Sequence, residues 1–491
     1  MDLIQNKKIP FLPIILTALI ALLYRLSIVF NQSPEFVIGE TNNLWNAFKF
    51  IKGNSIYTDP ESYPFEILQY TPLSQFPVYI FAWIERNLLQ TNDFIFTLAL
   101  GRLTSLFFNV LSAFLLFKIS KVHFKLSELI SILGALVFFC FLPHQVFAIR
   151  PDSMALFLST LGIFYFSQAY FMNFHKSYIL SGVILALSFF AKQDAFLISG
   201  ALGLILIFTK DFKNTFLFSI SFLVSFGIFI LVFSFLLGPY FLKSIFGGIA
   251  LEMKWEQFSY ILTRYITFYY ILIVALLISI FNMLRSSNFE TKKKVFLIAS
   301  LIFSFSVSFA TSFKLGSHIN YYILPTFFSI IVIITNLNSL TNINSIKNQF
   351  LFSGVGVIMC FHFLFFQYYH YTSSSTKVWR SITQHRIYRE ENEPIMQEIK
   401  KTNQLVVSYD SISKLRLSDQ IILPNLEFYW VSNFSYDKLN DQKNSKHVEF
   451  IIMPLSGTIP SSFFKKFGIN IAEYKKWYKS HQIEIYRNEY R

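Results

Sequence analysis

The chain has 491 residues, of which 54% are hydrophobic and only 14% charged. Soluble domains carry nearer a quarter of charged residues, so this composition excludes an ordinary soluble globular protein and points to lipid. The formal net charge of +14 does not indicate nucleic acid, because the basic residues sit in short loops between apolar runs and form no stripe on a soluble domain.

Lys7 and Lys8 precede a first apolar run over residues 11–30. That run exceeds the roughly 7–15-residue core of a signal peptide and no small-residue cleavage site follows it, so it reads as an uncleaved span. Further apolar runs lie near residues 94–117, 127–143, 153–173, 178–190, 195–209, 215–238, 263–284, 295–313, 321–336 and 349–368. They predict an α-helical polytopic membrane protein with about eleven transmembrane helices. The runs at 178–190 and 195–209 are short, and a re-entrant pair stands as the alternative to two spans there. The 61 phenylalanines suit helices that are apolar on every face. Cys140 and Cys360 both fall inside apolar runs, so a disulfide framework and a metal cluster are not expected.

Loop charges give an orientation. With the N-terminus in the cytoplasm, every inner connection is basic: Lys118, Lys121 and Lys125; Lys176; Lys210 and Lys213; Arg285 with Lys292, Lys293 and Lys294; and Lys347. This is the positive-inside pattern, and an odd number of spans places the tail outside the cell membrane. Two domains follow, a transmembrane module over 1–368 and an extracytoplasmic α/β domain over 369–491. The first outer loop, 31–93, holds two expected interfacial helices, Asn43–Lys52 and Pro72–Ile84. In the tail, Gln404–Tyr409, Glu449–Met453 and Ile483–Tyr486 read as strands, and Ser461–Phe467 and Ala472–Ser480 as helices.

Polar residues gather at the outer ends of the spans: Arg25, Glu35, Glu40, Arg102, His144, Arg150, Asp152, Lys192, Asp194, Lys314, His318, Asn320 and Tyr321. Ionisable groups at membrane depth are costly, so a convergent set marks a functional site. Excess cations on that face suit a bound anion such as a lipid phosphate. Plainer roles exist for each. Glu40 is placed as a first-turn helix acid, Asp152 as a cap with Arg150 snorkelling, and Lys192–Asp194 as a solvated turn. Lys314, His144 and His318 suit the interface, and Tyr57 and Tyr70 an aromatic belt. No His, Asp and Glu set has metal-ligand spacing.

These residues form an ordered series of motifs. An acidic residue follows span one, then Gly53, Tyr57, Thr58, Asp59 and Pro60, then Tyr70, Pro72 and Leu73. Arg150-Pro151-Asp152-Ser153, Ala191-Lys192-Gln193, and Lys314-x-Gly316-Ser317-x-x-Asn320-Tyr321 come next. The series resembles the glycosyltransferase family 39 type of the GT-C superfamily, the protein O-mannosyltransferases and aminoarabinose transferases, over residues 1 to about 335.

The resemblance implies a GT-C fold and an inverting transfer of a sugar from a polyprenyl-phosphate carrier to an acceptor protein, lipid or glycan at the outer face. A carboxylate would deprotonate the acceptor and cations would stabilise the leaving phosphate. The position matching the family's carboxylate is Glu40, the expected general base; members commonly carry Asp there. Arg150, Asp152, Lys192, Lys314, His318, Asn320 and Tyr321 are expected to hold the carrier phosphate and sugar. Glu35, Tyr57, Asp59, Tyr70 and Arg102 are expected accessories of the first loop. A groove beside 153–209 and 295–336 is expected to admit the lipid. No cofactor is assigned, and family members differ in divalent-metal dependence. Two alternatives are a lipid-linked glycan flippase or transporter, for which the inverted repeats and broken midplane helices are lacking, and a membrane glycan polymerase or ligase. Membrane lipids are the other expected partners, and nucleic acid is not one.

Overall fold

The computed structural model describes residues 12–31, 40–59, 68, 70–91, 94–247, 252–286, 289–340, 353–365, 367, 392–401, 405–408, 422–423, 448–454, 474–480 and 483–488. Its helices are α1 (Leu12–Val29), α2 (Glu40–Ile51), α3 (Phe76–Asn87), α4 (Ile95–Lys118), α5 (Glu128–Phe141), α6 (Asp152–Met172) and α7 (Lys176–Phe189). They continue as α8 (Ile198–Phe208), α9 (Phe212–Leu237), α10 (Tyr240–Gly247), α11 (Trp255–Arg285), α12 (Thr291–Ser312), α13 (Ile323–Leu340) and α14 (Ser353–Phe365). Among the described residues, seven helices are long and apolar enough to cross a membrane: α1, α4, α6, α9, α11, α12 and α13. The four shorter apolar helices α5, α7, α8 and α14 occupy the other predicted runs.

The short pair is informative. α7 has 14 residues and α8 has 11, which reach only about 21 and 16 Å against a hydrocarbon core of roughly 30 Å. The turn between them carries Lys192 and Asp194 to the start of α6. α7 is packed tightly on both sides. A Cβ at Gly162 of α6 would stand 2.5 Å from Leu185, and one at Gly182 would stand 2.8 Å from the Phe218 carbonyl of α9. Small residues of this kind let helices approach closely in lipid. α9 turns its other faces outward, with Phe216 at 69% exposure and Phe235 at 89%. Such an apolar surface is stable only under lipid.

The first outer loop differs from expectation. α2 and α3 replace the predicted interfacial helices, but Glu40 through Phe48 of α2 are all buried. The reason is polar docking: Asn43 Nδ2 donates to the Ile149 carbonyl at 2.7 Å, and Gln75 Nε2 donates to Asn43 Oδ1 at 3.2 Å. Arg25 of α1 is also buried and donates to the carbonyls of Cys140 and Leu142 and to Gln367 Oε1. It thereby caps the carbonyl end of α5, the favourable place for a cation. Cys140 and Cys360 are free and buried.

The tail contains a five-stranded sheet of β1 (Leu405–Ser408), β2 (Ile422–Leu423), β3 (Val448–Pro454), β4 (Tyr474–Lys479) and β5 (Ile483–Asn488). The strand order is β2-β1-β3-β5-β4, with β1 parallel to β2 and β3, and β5 antiparallel to β3 and β4. The three predicted strands are present. The helix expected over Ala472–Ser480 is instead β4, because pairing with β5 in a tight hairpin outweighs its helix-compatible spacing. The helix expected over Ser461–Phe467 lies outside the described residues.

Candidate active site

The site is built where α6, the α7–α8 turn and the start of α13 meet. Pro151 fixes the entry to α6 and puts Asp152 in its first turn, where a carboxylate favours the helix dipole. Asp152 Oδ2 accepts from Arg150 Nε at 3.1 Å. Its Oδ1 accepts from Lys192 Nζ at 3.0 Å and from Asn320 Nδ2 at 2.5 Å. Lys192 also reaches Asp194 Oδ2 at 3.0 Å and lies 4.3 Å from the centre of the Tyr321 ring. Burial opposes the charge of Lys192, but Asp152 and Asp194 outweigh it and keep the ammonium above its ordinary range.

Asp152, Lys192, Asp194, Asn320 and Tyr321 form the polar end of a cavity, with Arg150 behind Asp152. Ser159, Ser304, Ser308 and Thr311 add hydroxyls, and Leu156, Ile198, Phe303, Val307 and Leu324 line the apolar remainder. The walls are α6, α8, α12 and α13, which are the segments that the sequence singled out for a lipid groove. Asn320 Oδ1 is a buried acceptor without a partner, and Asn320 lines the cavity. Asp194 is the more open of the two carboxylates, its side chain 24% exposed against 1% for Asp152.

Glu40 is elsewhere. Its Oε1 accepts from Arg102 Nε at 2.7 Å and from the Ile149 amide at 2.8 Å, and its Oε2 pairs with Arg102 Nη2 at 2.6 Å. Both side chains are 0% exposed. Arg102 Nη1 continues to the carbonyls of Ile28 and Asn31. Glu40, the expected general base, thus has both oxygens held by Arg102 and the Ile149 amide, and it does not line the cavity. What it does is hold Ile149, and with it the backbone that presents Arg150.

The other expected residues divide. Tyr57 donates to the Tyr70 carbonyl at 2.7 Å, and Asp59 pairs with Lys243 of α10 at 2.8 Å; both fasten the first loop. The backbone of Lys314 lies in a short bridge to Met253, but its side chain makes no ion pair among the described residues and does not line the cavity. Glu35 lies outside the described residues. His318 contacts Gln145 Nε2 at 3.0 Å. Arg264 of α11 was passed over because it sits inside an apolar run. It stacks on Tyr260 at 4.8 Å, and its charge reaches His318. An arginine that far into a span is itself the signal that could have found it.

Burial, with Arg150 and Arg264 nearby, pushes the imidazole of His318 down to about 4. The sign follows. The unfolded chain takes up this proton near 6.5 and the fold resists it, so stability falls as pH drops from about 6.5 towards about 4. Thermal denaturation across that window, compared with His318→Gln, should show a smaller acid loss in the variant; identical curves would refute the assignment.

Among the described residues no group of three or more His, Cys, Asp or Glu converges. The two carboxylates that do meet are already paired with Lys192 and Arg150. A divalent ion would face those cations, so these two carboxylates do not fit a metal.

No protein-family model and no curated protein matches the chain. Solved structures do. ArnT from Cupriavidus metallidurans bound to undecaprenyl phosphate aligns with a TM-score of 0.60 at 10% identity, covering 97% of this chain and 98% of that one. The same protein in the apo state aligns at 0.59 and 10% identity, covering 96% and 97%. The likeness runs through both the helices and the tail, so the chain is an integral membrane protein with the GT-C fold of ArnT.

Proposed function

We propose that the protein is an inverting glycosyltransferase that takes a sugar from a polyprenyl-phosphate carrier. The observation that carries this reading is the cavity itself, with a charged, hydrogen-bonding end beside apolar residues of α6, α8, α12 and α13. An amphipathic lipid with a phosphate head matches both ends. ArnT, similar over nearly the whole chain, binds undecaprenyl phosphate.

The loop charges orient the cavity towards the outer leaflet, with the N-terminus in the cytoplasm and the tail outside. In the reaction the acceptor hydroxyl oxygen attacks the anomeric carbon and the bond from that carbon to the phosphate oxygen breaks. The electron pair leaves with the phosphate. Lys192, Arg150 and Arg264 supply the positive potential that stabilises it. Asn320 Oδ1 accepts a hydrogen bond from a sugar hydroxyl. The acceptor proton passes to Asp194, the carboxylate whose second oxygen is free at the cavity.

Asp152 is a positioning residue. It holds Arg150, Lys192 and Asn320 in one constellation. The reading is tested by offering purified protein a radiolabelled sugar on undecaprenyl phosphate together with a cell-envelope fraction. Transfer of label to an envelope acceptor supports it; intact donor after prolonged incubation counts against it.

A further inference from the structure

Between α5 and α6, side chains take up the backbone carbonyls that no α-helix satisfies. Asn109 Nδ2 donates to the Val146 carbonyl at 2.9 Å, and Ser105 Oγ donates to the Ala148 carbonyl at 2.8 Å. Ile149 is held on three sides. Its amide donates to Glu40 Oε1 at 2.8 Å, and its carbonyl accepts from Asn43 Nδ2 at 2.7 Å. Its side chain packs on Gly101 of α4, where a Cβ would stand 2.7 Å from Ile149 Cδ1. Glu40 and Asn43 lie three residues apart on α2 and so share a face.

The orientation of the Asn43 amide is forced. A carbonyl can only accept, so Asn43 turns Nδ2 to Ile149 and Oδ1 to Gln75, whose Nε2 donates to it at 3.2 Å. Asn43 is 0% exposed and Gln75 1%. Gln75 closes the short turn Pro72–Ser74. In the same turn the Leu73 amide donates to the Phe190 carbonyl at 2.8 Å, two residues before Lys192. The first loop therefore touches the backbone beside both cations of the site, Arg150 and Lys192. The head of Arg150 is tied separately, through Nε to Asp152 Oδ2 at 3.1 Å. Asp152 thus holds its guanidinium, while Asn43 and Glu40 hold the backbone from which the side chain rises.

We infer that Asn43 is a positioning residue for sugar transfer: its amide fixes the Ile149–Arg150 backbone and thereby the place of the Arg150 guanidinium behind Asp152. The inference rests on the transferase reading of the site. Asn43 does not line the cavity and acts only through Arg150. Without its amide the Ile149 carbonyl loses a buried donor and the root of Arg150 shifts. The positive potential is then misplaced for the charge that develops as the phosphate leaves.

The test is a double-mutant cycle on full-length protein, with a radiolabelled sugar on saturating undecaprenyl phosphate and a cell-envelope fraction as acceptor. Asn43→Ala is expected to lower kcat about 10- to 100-fold, the order of effect of disturbing a supporting partner. Arg150→Gln with Asn43→Ala is expected to be no slower than Arg150→Gln alone, because the amide acts through that guanidinium. A merely structural role gives losses that multiply instead. Should Asn43→Ala fail to fold, Gln75→Met takes its place in the same cycle. It removes the donor that orients the Asn43 amide and leaves the amide itself, and a smaller loss of the same non-multiplying kind is expected. Normal kcat in the folded variant, or losses that multiply with Arg150→Gln, overturns the positioning role and leaves the transferase reading intact. Wild-type protein that transfers no label overturns both.

Discussion

Glu40→Gln is expected to destabilise the fold by about 3–5 kcal/mol, the usual cost of removing one partner from a buried ion pair. The charge of Arg102 would remain at 0% exposure without its carboxylate, while its Nη1 keeps the carbonyls of Ile28 and Asn31. Loss of the clamp also frees the Ile149 amide, which loosens the approach to Arg150. Chemical or thermal denaturation of detergent-solubilised protein measures the effect. A second variant makes the argument sharper. Glu40→Gln combined with Arg102→Met leaves no unpaired charge and should recover part of the lost stability, because a buried pair can be replaced by apolar groups at small cost. A stable Glu40→Gln protein that has nonetheless lost sugar transfer would return the role of base to Glu40 and contradict the arrangement described above.

Asp194→Asn carries the largest expected effect on activity. Removing a general base typically costs about 100- to 10,000-fold in rate, and the loss should appear in kcat with little change in KM. The fold should survive, because Asp194 sits in a turn with its side chain 24% exposed, and Lys192 keeps its contact with Asp152. Asp194→Glu should recover part of the rate. Denaturation curves that match the wild type, with transfer near normal in Asp194→Asn, would remove this residue from the mechanism.

The helices were legible because lipid demands long apolar runs, and each predicted run is a helix. The constellation of Arg150, Asp152, Lys192, Asn320 and Tyr321 was legible for the same reason, since polar groups stand out at the ends of such runs. What could not be read was pairing over distance. Glu40 meets Arg102 across 62 positions, and nothing local distinguishes a sealed clamp from an open base. α2 looked like a surface helix because its amphipathic pattern is the same whether its polar side meets water or buried partners such as Ile149 and Gln75. β4 shows the limit in the tail. Its spacing of aromatic and lysine residues suits a helix, and only pairing with β5 selects the strand. Arg264 was missed by reading its run for hydropathy alone.

The most direct measurement follows the sugar. Protein reconstituted in sealed vesicles would receive undecaprenyl phosphate bearing a radiolabelled sugar in the outer leaflet, with envelope acceptors outside. The account predicts that label appears on an acceptor through a new glycosidic bond and that undecaprenyl phosphate is released in equal amount. Label that reaches the opposite leaflet still joined to its carrier, with no acceptor labelled, would contradict a transferase and make the protein a flippase.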